Sequence, residues 1–379
     1  MWTSGSCASA VRVLELRALE AADIRVVADD LTGALDSAVS FASRGNGIGV
    51  SWRLDRAFAG RMAIDAATRE GSLATAVERH RTLAPWLAGG QLSFKKIDSL
   101  LRGHVIAEIE ACIVEGAYQH VVLAPAFPFQ GRATRLGRQW RLDRSEVVGP
   151  DLVAGLGRRF PAGRSTPGPR PVDFITLYDA ETDADLDRVV AAVPKGSTLW
   201  VGTGGLAAAL ARHMNAPPKP APAFSAPFVA LVGTNHEVTA NQVALFSSTH
   251  AGGHIVVDGD IEGAKTHLTK RMTRGEPSVV SVAASGDRHV VADHIGKVFA
   301  SLLEGLPKPG TLLVTGGETL RSVCDSLRAI ELTVECEIEP GLPVSRITGG
   351  VFDGLVAISK SGAFGDHALL CRLAALACR

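Results

Sequence analysis

Short apolar runs that are rich in β-branched residues alternate along this chain with alanine- and leucine-rich segments of helical periodicity. Runs of this kind are typical of buried strands, and their alternation with helices indicates α/β layers built on parallel sheets. The pattern therefore predicts an α/β fold with largely parallel sheets. Six runs are strand candidates: Ile24–Ala28, Val121–Ala124, Phe228–Val232, Ser278–Val282, Thr311–Val314 and Leu355–Ser359.

A proline-rich stretch interrupts this pattern. Residues 215–227 read NAPPKPAPAFSAP, a composition that favours an extended connector over packed structure. Since 379 residues exceed the size of one ordinary core, we expect two domains, at residues 21–214 and 228–379, with 215–227 as the linker. Residues 161–171 are predicted to be a loop of the first domain, either a substrate lid or surface filler.

Ligands of open α/β sheets gather beyond the carboxyl ends of the strands, so the residues that follow each run carry the candidate chemistry. The first run leads directly into Asp29 and Asp30 and then into a segment of helical periodicity that is expected to stop near Gly45. Thr32 is the expected cap of this helix, and Asp36 is expected in its first turn. Two adjacent carboxylates can raise one another's pKa and deprotonate a hydroxyl, although a solvated turn stays an alternative.

A second candidate segment reads FKKIDSLLRGHVIAEIEA. Here Lys96, Asp98, Ser99 and Arg102 precede a predicted helix. Arg102 suits two-pronged binding of a carboxylate, to which Lys96 adds a point charge and Ser99 a hydroxyl donor. The alternative is a helix start with exposed charges. Glu108 and Glu110 are expected to be solvated helix residues.

A third candidate segment follows the run at Val121–Ala124 and contains Gly131 and Arg132. Further arginines recur every third residue, a spacing that would place them on one side of a helix or turn. They form either a cationic wall against an acid or ordinary surface charge, and Arg132 is the one favoured for binding. These further arginines are Arg135, Arg138, Arg141 and Arg144.

Four glycine-bearing turns follow the strand candidates of the second half. Glycine allows close backbone approach, and a turn that opens into a helix presents free N–H groups to phosphate oxygens. Several such turns in one domain indicate a nucleotide-phosphate site. They are Gly233-Thr234, Gly316-Gly317-Glu318-Thr319, Gly349-Gly350 and the stretch from Lys360 through Gly362 to Gly365.

Common nucleotide fingerprints are missing from these turns. The sequence contains neither a Walker A pattern nor a strand-linked G-x-G-x-x-G with a downstream acidic residue. No histidines show metal-ligand spacing, so no protein metal ligands are predicted.

Composition narrows the possible partners and the compartment. Lys plus Arg and Asp plus Glu both number 39, which leaves no overall field to attract nucleic acid or an anionic membrane. The 6 cysteines lack paired spacing and fit reduced thiols, so a cytoplasmic protein is expected. No run approaches the ~18 apolar residues of a membrane span. Residues 1–20 are expected to be a leader of unknown role.

Taken in order, these motifs resemble the four-carbon acid sugar kinase family, which includes D-threonate, L-threonate, D-erythronate and 3-oxo-tetronate kinases. The matching stretches are ADDLTGALDSAV, KKIDSLLRGH, APAFPFQGRAT, LVGTNHEVTANQ, VTGGETL and ISKSGAFG. The resemblance implies that the N-terminal domain binds a small sugar acid and the C-terminal domain binds ATP with Mg²⁺, across an interdomain cleft. The sequence leaves open whether the protein forms a homo-oligomer.

Carried over residue by residue, the resemblance implies two sets of site residues. The substrate set is Asp29, Asp30, Lys96, Asp98, Ser99, Arg102 and Arg132, and the nucleotide set is Thr234, Gly316, Gly317, Glu318, Thr319, Lys360, Gly362 and Gly365. Leu100 stands where the family usually has threonine, which puts substrate choice in doubt. Thr234 stands where the family often has serine and keeps the hydroxyl.

Kinase chemistry needs mainly alignment and charge neutralisation. We expect Asp30 or Asp98 to receive the proton of the acceptor hydroxyl, and the sequence leaves that choice open. Two rival functions are an NAD-dependent oxidoreductase or synthase, which lacks its fingerprint here, and a catalytically inactive nucleotide-binding regulator, which would have lost the aspartates and Lys360.

Overall fold

A computed structural model describes residues 23–42, 46–58, 60–168, 171, 173–194, 196–214, 220–284 and 288–378. The chain divides into two compact units, residues 1–219 and 220–379. The expected leader, the expected helix stop at Gly45 and residues 215–219 of the expected linker lie outside the described residues. Residues 220–227 contain no helix or strand.

The N-terminal unit is built on eight parallel strands in the order β2-β3-β1-β4-β11-β5-β10-β9. The unit also contains three strands, β6 to β8, that form a separate sheet. All its strands, in chain order, are β1 (Ile24–Ala28), β2 (Ile48–Ser51), β3 (Met62–Asp65), β4 (Leu92–Lys96), β5 (His120–Ala124), β6 (Arg132–Arg135), β7 (Arg138–Arg141), β8 (Glu146–Val148), β9 (Ala162–Ser165), β10 (Ile175–Tyr178) and β11 (Thr198–Gly202). Because all eight run in one direction, their carboxyl ends share one edge of the sheet. The presence of β9 corrects the prediction of a loop over 161–171.

Helices cover this sheet. They are α1 (Leu31–Ala42), α2 (Leu73–Ala88), α3 (Val105–Glu115), α4 (Leu152–Leu156), α5 (Asp183–Ala192) and α6 (Gly204–Arg212). α1 packs against α6, and α2 packs against α3. Phe94 of β4 contacts Phe41 of α1, with ring centroids 6.1 Å apart. Since side chains alternate along a strand, Lys96 points to the α1 face and Lys95 to the opposite face.

A separate three-stranded antiparallel sheet, β6-β7-β8, follows β5. It corrects the prediction that the arginines share one side of a helix or turn. Arg135 and Arg138 are cross-strand partners beside the hairpin, and Arg141 ends β7. Directly paired residues share a face of the sheet, so Arg135 and Arg138 lie on one face and Arg132 and Arg141 on the other, and these arginines do not form one wall.

The C-terminal unit has seven strands in the order β13-β14-β12-β15-β18-β17-β16, of which the first five are parallel. They are β12 (Phe228–Val232), β13 (His254–Val257), β14 (Ser278–Val282), β15 (Thr311–Thr315), β16 (Glu331–Glu337), β17 (Pro343–Thr348) and β18 (Val356–Lys360). The helices are α7 (Glu237–Thr249), α8 (Ile261–Thr273), α9 (Arg288–Leu303), α10 (Gly317–Ser326) and α11 (Leu369–Ala377). The six predicted strands are therefore present to within one residue at each end.

One of the predicted glycine turns lies at the amino edge of this sheet, opposite the carboxyl edge where a nucleotide was expected to bind. β17 runs antiparallel to β18, so Gly349-Gly350, which follows β17, lies at the amino end of the parallel strands. The turn opens into β18 and not into a helix. A Cβ on Gly350 would lie 2.1 Å from the carbonyl oxygen of Leu327, so close backbone packing explains this glycine.

Each unit has its own buried core. One apolar cluster lies between the sheet and the helices α2 and α3 of the N-terminal unit, and another joins β12, β15 and β18 to α7 and α11. Among the described residues, Cys112, Cys324, Cys336, Cys371 and Cys378 are free thiols. No helix within the described part of the chain is long and apolar enough to cross a membrane.

Candidate functional site

The carboxyl ends of β1, β3 and β4 bring several charged residues to one edge of the N-terminal sheet. Asp29 and Asp30 follow β1, Asp65 ends β3 and Lys96 ends β4, with Asp98 two residues later. β1 lies between β3 and β4 in the sheet. The three neighbouring strand ends therefore form one candidate site, at the edge where ligands of open α/β sheets bind.

Arg69 is the centre of this cluster, and the sequence analysis missed it. Its guanidinium donates to both oxygens of Asp29, from Nε at 2.8 Å and from Nη2 at 3.0 Å. It also donates to both oxygens of Asp30, with Nη2 2.7 Å from Oδ1. Its Nη2 lies 3.6 Å from Oδ1 of Asp98. One partly buried arginine therefore holds three aspartates in place.

Asp30 combines an environment suited to a base with partial solvent access. Its Oδ1 accepts from the backbone N–H of Gly33 at 2.8 Å, so Asp30 caps α1 in place of Thr32. The first turn of that helix contains no acidic residue, and Asp36 lies beyond it. Burial raises the pKa of the Asp30 carboxyl above its ordinary value, against the lowering effect of Arg69. The side chain is nevertheless 26% exposed, so a substrate can reach it.

Asp98 has the opposite character. Its Oδ2 accepts from the backbone N–H groups of Leu100 and Arg102, at 3.0 and 3.2 Å, and from Arg102 Nε at 2.9 Å. Burial acts to raise the pKa of Asp98, but the hydrogen bonds from Arg102 and the charge of Arg69 hold it well below its usual range. Asp98 is thus a firmly ionised acceptor that fixes the loop after β4.

Two features of that loop depend on unusual backbone conformation. Leu101 is buried with a φ of 56°, a left-handed conformation that is rare for a leucine. Gly103 has a φ of 79°, and a Cβ there would lie 3.3 Å from the Cα of Arg69. The loop therefore packs directly on the segment that carries Arg69.

The remaining substrate-set residues lie around the same edge with different degrees of exposure. Lys96 is buried, and its Nζ donates to the carbonyl of Ile97 at 2.8 Å. A Cβ on Gly33 would lie 3.0 Å from that Nζ, so only glycine leaves the lysine room beside Asp30. Arg102, the expected carboxylate anchor, is paired with Asp98, and its side chain is 51% exposed.

Ser99 and Arg132 are linked through the segment after β5. Ser99 Oγ lies 3.3 Å from Gln130 Oε1, and Arg132 Nη1 donates to the Gln130 carbonyl at 2.8 Å. Gln139 of β7 donates to the carbonyls of Ser99 and Pro125, at 3.1 and 2.9 Å. The small antiparallel sheet thus holds the loops after β4 and β5 together.

Glu108 corrects one prediction. It is not solvated: its side chain is buried on the face of the sheet opposite Lys96, where Oε2 lies 2.8 Å from Lys95 Nζ and Oε1 accepts from Thr68 Oγ1 at 2.6 Å. Burial acts to raise the pKa of Glu108, but the charges of Lys95 and His80 and the hydrogen bonds from Lys95 and Thr68 together lower it to about 2. Glu110, in contrast, forms an ion pair of 3.0 Å with Arg159 near the surface.

In the C-terminal unit, three of the predicted turns lie side by side. They follow β12, β15 and β18, which are adjacent and parallel, so the turns share the carboxyl edge of the sheet. Gly233 packs so tightly on Thr319 that a Cβ would lie 1.9 Å from its Oγ1. Gly316 has a φ of 93° and leads into α10, whose first turn carries Glu318 exposed to solvent. Gly317 is the first residue of that helix.

The loop after β18 turns its carbonyl groups towards buried side chains. Lys360 Nζ lies 3.1 Å from the carbonyl of Ser361 and 3.4 Å from that of Gly362. The amide of Gln242 donates to the carbonyls of Phe364, Gly365 and Asp366, at 3.0, 3.1 and 2.8 Å. Carbonyl oxygens that are held in this way do not repel an anion at the opposite side of the loop.

Thr234 and Lys360 complete this edge. A Cβ on Gly362 would lie 2.6 Å from Thr234 Oγ1, so the turn after β12 and the loop after β18 are in close contact. Lys360 Nζ also donates to Thr239 Oγ1 at 2.7 Å. Burial lowers the pKa of Lys360 to about 8, so the ammonium form still predominates at neutral pH.

The described residues contain no group of three or more His, Cys, Asp or Glu side chains arranged to hold a metal ion. Thr239 and Gln242, which support the loop after β18, were not singled out from the sequence, although both lie in the stretch LVGTNHEVTANQ. Arg69 follows the short apolar run of β3, and that run was not recognised as a strand.

Two family models match the chain, one in each unit. A sugar-binding N-terminal domain matches residues 24–148, and a nucleotide-binding C-terminal domain matches residues 229–370. The first match covers Asp29 to Arg132 of the substrate set, and the second covers the whole nucleotide set.

Curated relatives match along almost the whole chain. The chain is similar to a D-threonate kinase of Cupriavidus necator, at 30% identity over 91% of this chain and 95% of the relative. It is also similar to a D-threonate kinase of Bordetella bronchiseptica, at 28% identity over 93% and 96% of the two chains. A D-erythronate kinase of Heliobacterium modesticaldum matches at 24% identity over 92% and 95%.

Solved structures support the fold. A protein of Salmonella typhimurium LT2 is 20% identical and matches with a TM-score of 0.71, over 92% of this chain and 98% of that one. A Haemophilus influenzae protein is 18% identical and matches with a TM-score of 0.68, over 93% and 99%. The two domain models in this order, with a relative that is 30% identical over nearly the full length, show that the chain belongs to the four-carbon acid sugar kinase family, a family of phosphotransferases.

Proposed function

We propose that this protein is a kinase that transfers the γ-phosphoryl group of ATP to a hydroxyl group of a four-carbon sugar acid, of which D-threonate is the first to test. The observation that carries the proposal is the aspartate cluster around Arg69, because it offers a carboxylate with a raised pKa at the strand ends of the sugar-binding domain. The names of the relatives support the choice of acceptor.

On the substrate side, the proposed anchors are the cationic and hydroxyl groups that border the aspartates. Arg102 is half exposed and presents a guanidinium that can bind a carboxylate with two N–H groups. Lys96 ends β4, Ser99 lies in the loop after β4 and Arg132 lies in the segment after β5, and all three are proposed to supply further donors to substrate oxygens. Asp29, which Arg69 holds with two hydrogen bonds, serves in this proposal to fix that arginine.

Asp30 is the proposed general base. A base must bind the proton of the acceptor hydroxyl as that hydroxyl attacks the phosphoryl group, so a carboxylate with a raised pKa is better suited than one whose pKa is depressed. Asp30 has a raised pKa and a side chain that is 26% exposed, whereas Asp98 has a depressed pKa and a side chain that is 5% exposed. Asp98 is therefore proposed to orient Arg102.

On the nucleotide side, the three adjacent turns are proposed to bind the phosphates of ATP. The turns lie at the carboxyl edge of the sheet, and α10 begins there with its positive dipole end. Lys360 and Gln242 hold the carbonyl groups of the loop after β18 away from the anion. Gly233 packs on Thr319 and Gly362 packs on Thr234, so the turns approach one another closely. Gly316, Gly317 and Gly365 complete the proposed nucleotide set.

Magnesium is proposed to enter with the nucleotide. Mg²⁺ keeps several waters and is usually bound through substrate phosphates and one or two carboxylates, and the described residues offer no larger cage. When bound, it would neutralise phosphate charge during transfer. Because ATP is the proposed donor and five cysteines are free thiols, we also propose that the protein works in the cytoplasm.

A coupled assay of ADP release, run against D-threonate, L-threonate, D-erythronate and L-erythronate, tests donor and acceptor together. We expect acid-dependent ADP release that requires Mg²⁺ and that is lost in Asp30→Asn. ATP binding without turnover of any acid would instead favour the inactive regulator, and reduction of NAD in the presence of an acid would favour the oxidoreductase.

A further inference from the structure

A second cluster of polar side chains lies directly behind the aspartate cluster, on the opposite face of the N-terminal sheet. It consists of Thr68, His80, Lys95 and Glu108, all of which are buried to within 1% of full burial. None of these residues reaches the edge where a substrate binds. Their side chains come from the segment after β3, from α2, from β4 and from α3.

Burying these charged side chains costs free energy of folding, so their role in the protein needs an explanation. Replacing a buried ion pair by apolar residues of similar volume is often neutral or stabilising, so stability alone is a weak reason for a fully buried Lys95–Glu108 pair. Thr68 and Lys95 are, however, both hydrogen-bonded to Glu108, and a buried network of this kind specifies a single geometry. His80 Nε2 lies 3.6 Å from Glu108 Oε2 and is outside this network. The residues that are attached to this network show which geometry is fixed.

One branch of the network leads to Arg69. Thr68 Oγ1 donates to Glu108 at 2.6 Å, and Thr68 is the residue before Arg69. The backbone N–H groups of Thr68 and Arg69 both donate to the carbonyl of Asp29, at 2.9 and 3.2 Å. The Thr68 hydroxyl therefore sets the position of the short segment from which the Arg69 side chain reaches the three aspartates.

The other branch leads to the end of β4. Lys95 Nζ lies 2.8 Å from Glu108 and donates to the carbonyl of Lys96 at 3.0 Å. Lys96 points to the opposite face, beside Asp30, and its carbonyl immediately precedes the loop of Asp98. The Glu108 carboxylate is thus the common acceptor for the segment of Arg69 and for the strand end that carries Lys96.

We infer that Thr68, Lys95 and Glu108 are positioning residues, which hold Arg69 and the end of β4 in the geometry that the acceptor site requires. The inference rests on the proposed kinase function for its catalytic consequence. Its structural part, that the Thr68 hydroxyl fixes Arg69, stands independently of which reaction the site performs.

Thr68→Val tests this inference because it removes one hydroxyl and keeps the shape of the side chain. We expect kcat to fall about 10- to 100-fold, since small misplacement of catalytic groups has effects of this size, with the KM for ATP within about twofold of wild type. Thr68→Ser restores the hydroxyl and should restore kcat to within about threefold. Thr311→Val is the matched control, because Thr311 is also fully buried and its hydroxyl donates to Ser225 at 2.9 Å, at the amino end of β15.

A spectroscopic readout separates this inference from the proposed function. The Nε–H group of Arg69, assigned in ¹⁵N-labelled protein with the help of Arg69→Lys, should exchange with solvent at least about tenfold faster in Thr68→Val than in wild type or Thr68→Ser. Unchanged exchange in Thr68→Val overturns the inference. If wild-type protein phosphorylates none of the acids, the proposed function fails, and the exchange measurement still decides the positioning role.

The double variant Lys95→Met/Glu108→Leu tests whether the pair acts only through stability. Its melting temperature is expected to fall by only a few degrees, because two buried charges are replaced together by apolar groups and only the Thr68 hydroxyl is left without its acceptor. Its kcat should nevertheless stay at least about tenfold low, since Thr68 has lost its acceptor. Recovery of both melting temperature and kcat would overturn the inference.

Discussion

Asp30 and Asp98 lie at neighbouring strand ends and contact the same arginine, yet their surroundings give them different properties. Asp30 is partly exposed, and burial raises its pKa. Asp98 accepts hydrogen bonds from Leu100 and Arg102, and its pKa is depressed. The sequence left the choice of base open, and this difference is the reason for proposing Asp30.

The two single asparagine variants should therefore change different properties of the enzyme. Asp30→Asn should lower kcat by about 10²- to 10⁴-fold, with both KM values within a few-fold, because asparagine keeps the size but cannot take the proton. Asp98→Asn should instead raise the KM for the acid and lower the melting temperature, because it weakens the hydrogen bonds that hold Arg102 and its loop. Steady-state kinetics at saturating ATP check both, and the same loss of kcat in both variants would contradict the assignment.

A site residue can be predicted from the sequence when its neighbours in the chain indicate its position in the fold. Asp29 and Asp30 could be found because they follow an apolar run, and Asp98 could be found because it lies among charged residues that precede a predicted helix. Arg69 could not be found, because its partners Asp29 and Asp30 lie 40 and 39 residues away in the sequence and only the paired strands bring them together. Glu108 was misjudged for the same reason, since its partner Lys95 lies on a different element.

At the scale of elements, the loop after β18 depends on close approach to the turn after β12. Gly362→Ala would place a Cβ 2.6 Å from Thr234 Oγ1, so one of the two segments must move. We expect the KM for ATP to rise at least about tenfold while the KM for the acid stays within about twofold, since loop displacement of this kind disturbs phosphate binding.

Gly354→Ala is the matched control for this substitution. Gly354 also belongs to the C-terminal unit, has a φ of 78° and lies in open space in the turn before β18. Its replacement strains the backbone and lowers stability without touching the nucleotide edge. An equal rise in the KM for ATP in both glycine variants would show that lost stability, and not the loop after β18, is responsible.

The packing of α2 on α3 buries His80, and this burial makes stability depend on pH. His80 Nδ1 donates to the carbonyl of Ala76 at 2.8 Å, and burial lowers the pKa of His80 to about 4 from 6.5. A histidine whose folded pKa is lowered binds its proton more readily in the unfolded chain. Its contribution is therefore fully present above about pH 6.5 and is lost as the pH falls towards 4.

The size of this effect follows from the pKa shift. Between pH 7 and pH 5, His80 should account for about 2 kcal/mol of the decrease in the free energy of unfolding. His80→Gln cannot titrate, so its free energy of unfolding should fall less than that of wild type over this range. Urea titrations at the two pH values measure the difference, and parallel losses in both proteins would show that His80 does not cause the pH dependence.

The elements themselves were more predictable than their arrangement. Long apolar runs located the central strands of both sheets, since a strand that is buried on both faces reads as a continuous apolar stretch. The short strands β6, β7 and β8 were missed because arginines dominate them, and their three-residue spacing resembled a helical one. The reversal at β17 was missed because strand direction is a property of pairing, which a single run does not encode.

At the scale of the whole molecule, each unit has its own group of parallel strands, its own apolar core and its own set of candidate residues. The contacts that support the loop after β18 come from α7 of the same unit, through Thr239 and Gln242. The nucleotide edge is therefore built from residues of one unit only, and this makes a fragment experiment informative.

A fragment of residues 220–379 should bind ATP with Mg²⁺ by itself. A ligand that binds only the folded form stabilises it by mass action, by about 2.7 kcal/mol at a concentration 100 times the Kd, so ATP should raise the melting temperature of the fragment. D-threonate should raise the melting temperature of the full chain and leave that of the fragment unchanged, because the proposed acid-binding residues all lie before residue 219. Lys360→Met in the same fragment is the control for a specific effect, since it removes the ammonium group that holds the carbonyls of Ser361 and Gly362. A shift with NAD and none with ATP, in a fragment whose circular dichroism shows it to be folded, would contradict the assignment of this edge to the kinase nucleotide.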